Sequence, residues 1–143
     1  MRFWDSSSLL ALVIEEKRSQ ACRRLTRFDP EIAVWALTRM EIVSAIRRRE
    51  RAGNLTRAEA GSGLRRLERM AEHWLEVDAL ALVRSRAERL LATHPLKAAD
   101  AIQLGAALVL SKENPRGKPL VTSDQHLSEA ADAEGFDVLV PQP

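Results

Sequence analysis

The sequence predicts an α/β protein, a three-layer α/β/α sandwich built on a mainly parallel sheet. Three observations carry that expectation. Short apolar segments of strand length alternate with longer segments of helical period, which is the pattern of a parallel sheet covered on both faces through right-handed crossovers. Two strand ends follow one plan, since Phe3-Trp4-Asp5 and Leu120-Val121-Thr122-Ser123-Asp124 each run from apolar residues into an aspartate. The segment Leu96 to Leu110 is apolar nearly all round, so it must be a deeply buried helix. At 143 residues the chain suits a single domain over residues 1–143.

The elements follow in order. Met1 to Trp4 reads as a strand and Asp5 with Ser6-Ser7-Ser8 as the tight turn into a helix. That helix is expected to run from about Ser8 into the arginine-rich twenties, on the spacing of Leu9, Leu12, Val13, Ala21 and Leu25, until Asp29-Pro30 ends it. Glu31 to Trp35 is a short buried strand, and Thr38 to Arg49 a helix with Met40, Val43 and Ile46 on one side. Gly53-Asn54 stops it, and Thr56 with Glu59 has capping-box spacing for the next helix, whose Gly61-Ser62-Gly63 marks a bend or a close helix approach. Trp74 to Asp78 is a third strand, with Asp78 placed to cap the helix of Leu80, Val83, Ala87, Leu90 and Leu91. Thr93-His94-Pro95 separates that helix from the Leu96 helix, and after the fourth strand come a helix from Gln125 to about Ala133, a stop at Gly135 and a last strand, Phe136 to Val140.

Composition narrows the setting. With 45% hydrophobic and 29% charged residues the whole chain is expected to fold. The longest apolar runs, Leu9 to Ile14 and Leu104 to Leu110, fall far short of the roughly 20 residues that span a bilayer. There is no signal-peptide layout, and a lone Cys22 offers no internal disulfide, so a cytoplasmic home is expected. Of 22 cations 18 are arginine, clustered at Arg23 to Arg27, Arg47 to Arg51 and Arg65 to Arg69. Guanidinium forks suit phosphate, although solvated helix faces with Arg–Glu pairs would give the same clusters.

Four acids stand in unusual company. Asp5 and Asp124 end apolar strands, Glu41 lies one turn into a helix that follows a strand, and Asp100 lies inside the most apolar helix. Each has a plain structural reading as well: Asp5 and Asp124 as helix caps, Glu41 in a capping box with Thr38, and Asp100 paired with Lys97. What they share is location, because strand ends and helix starts of a parallel sheet converge on one edge, where four acids make a hard-oxygen site for Mg²⁺ or Mn²⁺.

The segments Phe3 to Leu12, Leu37 to Ala45, Leu96 to Ala107 and Leu120 to Leu127 resemble the acidic motifs of PIN-domain ribonucleases, and most of all the VapC-type toxins of bacterial toxin–antitoxin pairs. The resemblance implies a three-layer α/β/α fold, a divalent-metal site and cleavage of single-stranded RNA such as a loop of tRNA or rRNA. It also implies dimers and a cognate antitoxin that occludes the site. Asp5, Glu41, Asp100 and Asp124 match the site acids, and Ser7 and Thr122 match small hydroxyl positions that support them. Two positions depart from the pattern. His126 stands where many relatives carry a further acid, and Lys97 where an arginine often precedes the third motif, which leaves four acids and puts a second metal ion in doubt.

Metal held by carboxylates would activate water and neutralise phosphate charge, so no Ser/His/Asp triad is needed. His94 and His126 read better as polar surface residues than as proton carriers, and Trp4, Trp35 and Trp74 better as core than as base-stacking platforms. Apart from the four acids, 22 cations face 16 remaining carboxylates, a basic surface around an acidic hole that suits a polyanion. Two other nuclease-fold readings compete: a solitary RNA-processing enzyme, and a PIN-like module that binds RNA or protein without cutting. A haloacid dehalogenase-type phosphatase ranks below them, since Ser7 stands where its second acid belongs.

Overall fold

Successive side chains of a strand point to opposite faces, and in the computed structural model, which describes residues 1–143, that alternation divides the interior in two. Phe3, Trp35 and Leu120 join one core, while Trp4, Val34 and Val121 join the other. The strands are β1 (Arg2–Trp4), β2 (Ile32–Trp35), β3 (Leu75–Val77), β4 (Pro119–Val121) and β5 (Asp137–Leu139), in the order β3-β2-β1-β4-β5. All four pairings are parallel. Phe3 lies opposite both Ala33 and Leu120, which puts β1 at the centre.

Seven helices cover the sheet. On the Trp4 face lie α1 (Ser6–Val13), α2 (Ser19–Phe28), α3 (Thr38–Arg51) and α4 (Arg57–Ala71), whose Leu9, Cys22, Ile46 and Leu67 fill that core. On the Phe3 face lie α5 (Leu80–Thr93), α6 (Ala98–Leu110) and α7 (Gln125–Glu134), contributing Leu90, Leu104 and Leu127. The parallel three-layer architecture is the one the sequence predicts. Trp4 and Trp35 are core residues as expected, and Trp74 is half-buried with its indole N–H donated to Glu76.

Two local expectations need correction. The helix expected from Ser8 into the twenties is two helices, because Ile14 turns extended and buries its side chain. The break is stabilised by Ser19, whose buried hydroxyl accepts from the Glu16 amide at 2.8 Å and donates to the Ile14 carbonyl at 3.1 Å. Asp78 does not cap α5 with its side chain. The N-cap position is Ala79, and Leu80 donates instead to the Asp78 backbone carbonyl at 2.7 Å. Ile42, Ile46 and Leu67 of α3 and α4 are wholly interior.

Of the glycines in α4, Gly63 marks a close approach. A Cβ at Gly63 would stand 3.0 Å from Ile14 and 3.3 Å from the Val13 carbonyl, so α4 rests on the end of α1 there. Gly105 does the same work between α6 and α5, where a Cβ would meet the Val83 carbonyl oxygen at 2.9 Å. Backbone cannot step aside as a side chain does, so Gly105→Ala is expected to destabilise by about 1–3 kcal/mol. Gly61→Ala would meet only the mobile end of Arg65, at 3.3 Å, and is expected to stabilise by about 0.5–1 kcal/mol. Urea melts of the two variants should move in opposite directions; a common direction would remove close approach as the reason for Gly105.

Candidate active site

The acid edge is assembled from four connections. Asp5 follows β1, Asp124 closely follows β4, Glu41 lies in the first turn of α3 beyond β2, and Asp100 in the first turn of α6. Because β1 lies between β2 and β4, and α1 and α7 leave toward opposite faces, this is the switch point where a parallel sheet opens a crevice.

Asp5 is the best held of the four and the most buried, at 3% exposure. Its carboxylate accepts from the Ser7 amide, from the Ser7 hydroxyl at 3.1 Å and from the Thr122 hydroxyl. Those hydroxyls are themselves aimed: the Ser123 amide donates to Ser7 Oγ at 3.1 Å and the Asp124 amide to Thr122 Oγ1 at 3.0 Å. Burial pushes the Asp5 carboxyl up to about 6, against the pull of the Thr122 and Ser7 hydrogen bonds, and the nearby Asp100 charge pushes the same way as burial.

Glu41 accepts from Gln103 Nε2 at 2.8 Å and from Ser6 Oγ at 3.2 Å. The capping box with Thr38 is not formed, since Thr38 is inside the helix and its hydroxyl accepts from the same Gln103 amide at 3.1 Å. Burial raises the Glu41 carboxyl, Gln103 and Ser6 oppose it, and Asp100 adds to the rise. Asp100 has no ion pair with Lys97, and its place in the first turn of α6 leaves it half-buried, more solvated than the apolar helix suggested. Its carboxyl too is raised, by burial first and then by Asp124, with Lys97 and His126 pulling the other way. Asp124 is the N-cap of α7, accepting from the Leu127 amide at 2.7 Å. The capping readings of Asp5 and Asp124 are therefore realised, and both residues keep oxygen at the edge besides.

The edge is open. No three His, Cys, Asp or Glu side chains close on a common point to hold an ion between them. Asp5 and Glu41 both feel the repulsive charge of Asp100, and Asp100 that of Asp124, while the Ser6, Ser7 and Thr122 hydroxyls hold Glu41 and Asp5 at the edge. His126 is exposed beside Asp100, whereas His94 is committed elsewhere, 2.9 Å from Glu134, which also takes Arg89 at 3.1 Å.

A family model described as the PIN domain matches residues 2–133. The chain belongs to the PIN-domain family. Solved structures share the fold over nearly the whole length. A toxin–antitoxin complex from Klebsiella pneumoniae is 17% identical with a TM-score of 0.68, covering 99% of this chain and 98% of that one. FitAcB from Neisseria gonorrhoeae is 18% identical with a TM-score of 0.67, at 99% and 98% coverage, and FitAB bound to an IR36 DNA fragment is 18% identical with a TM-score of 0.62, at 99% and 95%. No curated protein matches significantly.

The divalent metal that a PIN domain implies fits the donor chemistry of this edge. Every donor is a hard oxygen, and the charge repulsion that adds to burial in raising Asp5, Glu41 and Asp100 is what a cation relieves. The open spacing suits an ion that takes one or two carboxylates and keeps several waters, as Mg²⁺ does.

Gln103 and Ser6 carry part of this geometry and were not singled out by sequence reasoning. A glutamine in a helix otherwise apolar, one turn beyond Asp100, was the available signal. Gln103→Leu leaves Thr38 and Glu41 short of their shared donor and is expected to cost about 1–3 kcal/mol, read by chemical denaturation; a neutral result would make that amide dispensable. For Asp5 the sign follows from its raised carboxyl. The folded protein holds the proton up to about 6 while the unfolded chain releases it near 3.8, so this contribution is complete below pH 4 and lost as pH rises through 6. Asp5→Asn should therefore flatten that part of the profile, gaining on wild type by about 3 kcal/mol between pH 4 and 7. Melts across that range check it, and parallel profiles would contradict the burial argument.

Proposed function

We propose that this PIN domain is a metal-dependent endoribonuclease, the toxin of a toxin–antitoxin pair, acting in the cytoplasm on exposed loops of structured RNA such as tRNA or rRNA. The reading rests on one observation: Asp5, Glu41 and Asp100, all with raised carboxyls, share the crevice edge of a parallel sheet with Asp124. The arginine excess of the remaining surface supports a polyanionic substrate. PIN domains are generally nucleases, and the description of one structural neighbour as a toxin–antitoxin complex from Klebsiella pneumoniae favours a cognate antitoxin. No helix is long and apolar enough to cross a membrane.

Asp5, Glu41, Asp100 and Asp124 would hold Mg²⁺ or Mn²⁺, which when bound supplies a more acidic water and neutralises charge on the phosphate. The chain's own residues do the rest. Ser7 and Thr122 lock the Asp5 carboxylate in one orientation, and Gln103 and Ser6 aim Glu41. Raised carboxyls at Glu41 and Asp100 make their oxygens better proton acceptors than ordinary carboxylates near neutral pH. A homodimer belongs to the same reading, and Leu37 and Met40 at the start of α3 are among the apolar residues left exposed.

Purified protein incubated with tRNA or rRNA should cleave with Mg²⁺ or Mn²⁺ and stop with EDTA. Asp100→Asn should lower cleavage by at least about a hundredfold and shrink the metal-induced rise in melting temperature, while its metal-free melt stays level or rises. Cleavage that persists after exhaustive chelation, or an Asp100→Asn protein that cuts like wild type, defeats the assignment. Co-expression with a cognate antitoxin should abolish activity, and sedimentation over a dilution series reads the dimer.

A further inference from the structure

The break between α1 and α2 puts charge where a continuous helix would have wound it away. A cleft of about 390 Å³ opens beside the acid edge, lined among others by Lys17, Arg18 and Arg49 together with Ser7, Ser123 and Asp124. Arg49 is steadied there by Glu16, to which it donates at 2.9 Å. Lys17 and Arg18 have no ion pair, and the Arg18 Nε is buried without a hydrogen-bond partner. Two cations without ion pairs, lining a cleft beside carboxylates, call for an anionic ligand. The cleft has room for a sugar-phosphate unit. Ser7, which helps to hold Asp5, lines it too, so a phosphate seated there lies next to the acid edge.

We propose that Lys17 and Arg18 are the phosphate-positioning pair of this protein, gripping the backbone of a single-stranded RNA beside the phosphodiester presented to the acid edge. The proposal rests on the nuclease reading above and assigns that site its substrate grip. The α1–α2 break is then a functional feature: Ser19 satisfies the interrupted backbone, and the segment it frees carries both cations to the cleft. Arg49, occupied in part by Glu16, shapes the cleft and contributes a second, pre-oriented guanidinium.

The test uses the full chain carrying Asp100→Asn, so that RNA is bound and not consumed, with a fluorescently labelled single-stranded RNA titrated over a series of KCl concentrations. Lys17→Gln and Arg18→Gln are each expected to weaken binding by about three- to tenfold and to lower the slope of log affinity against log salt by about 0.7, the loss of one phosphate contact on a single strand. Arg18→Lys should keep the slope. Arg84→Gln, which removes an exposed, unpaired arginine from α5, should leave both quantities unchanged. Slopes for Lys17→Gln and Arg18→Gln equal to that of Arg84→Gln overturn the positioning pair while leaving the nuclease reading standing. An Asp100→Asn parent that binds no RNA at low salt defeats both. Should Arg18→Gln melt early, exposed Lys17 decides alone, since its replacement disturbs no packing.

Discussion

The structure depends most on one buried carboxylate. Asp5 is taken out of water at the point where β1 becomes α1, and the Thr122 hydroxyl reaches it across 117 residues of sequence. Burying that charge is unfavourable, which its raised carboxyl reports directly. The opposing hydrogen bonds make the position specific. They tie the end of β1, the first turn of α1 and the exit of β4 into one unit whose geometry leaves little freedom to the edge they form. A position that is electrostatically costly and yet over-determined by hydrogen bonds is where a fold stores function at the expense of stability.

A second link joins the two helical layers. Gln103 of α6 reaches Thr38 and Glu41 of α3 from the opposite side of the sheet's edge, so the placement of Glu41 is read from both layers at once. Because its other amide atom, Oε1, is buried without a partner, Gln103 is held by what it donates and not by what it accepts. Around this acid edge the arginines are only partly neutralised. Arg23 is paired with Glu15 and Arg47 with Glu50, while Lys17 and Arg18 are not paired at all. Cations that lack partners in the folded chain are available to a ligand, and their position beside the edge gives the net basic charge a direction.

Much of the fold was legible because period and punctuation agree in this chain. While one expected helix ending at Asp29-Pro30 covers both α1 and α2, every strand and the other five of the seven helices could be placed from apolar spacing, Gly53-Asn54 and Gly135. The break between α1 and α2 was not, since the apolar spacing runs on through it and no glycine or proline marks it; its cause is tertiary, the burial of Ile14 against Gly63 of α4. Asp78 misled for the converse reason, a good capping residue placed one step too early to be used. The four acids were readable as a set, but not their local duties. A helix N-cap and the crevice edge of a parallel sheet are the same place, so Asp5 and Asp124 act as caps while standing at that edge, and no pattern in one sequence separates the two duties. Gln103 offered only its polarity in an apolar helix one turn beyond Asp100 as a signal, and a lone amide does not name the partner it serves.

The central position of β1 has a consequence for the order in which the protein comes off the ribosome. One neighbour, β2, follows within about thirty residues, but the other, β4, begins at Pro119, and Thr122 lies beyond it. Until that late segment emerges, β1 has an unpaired edge and Asp5 lacks one of its three donors, while Asp124 has not yet been made. Nascent chains that stop short of β4 therefore cannot complete the acid edge, and a partner that recognises the finished crevice meets it only after synthesis has passed the fourth strand.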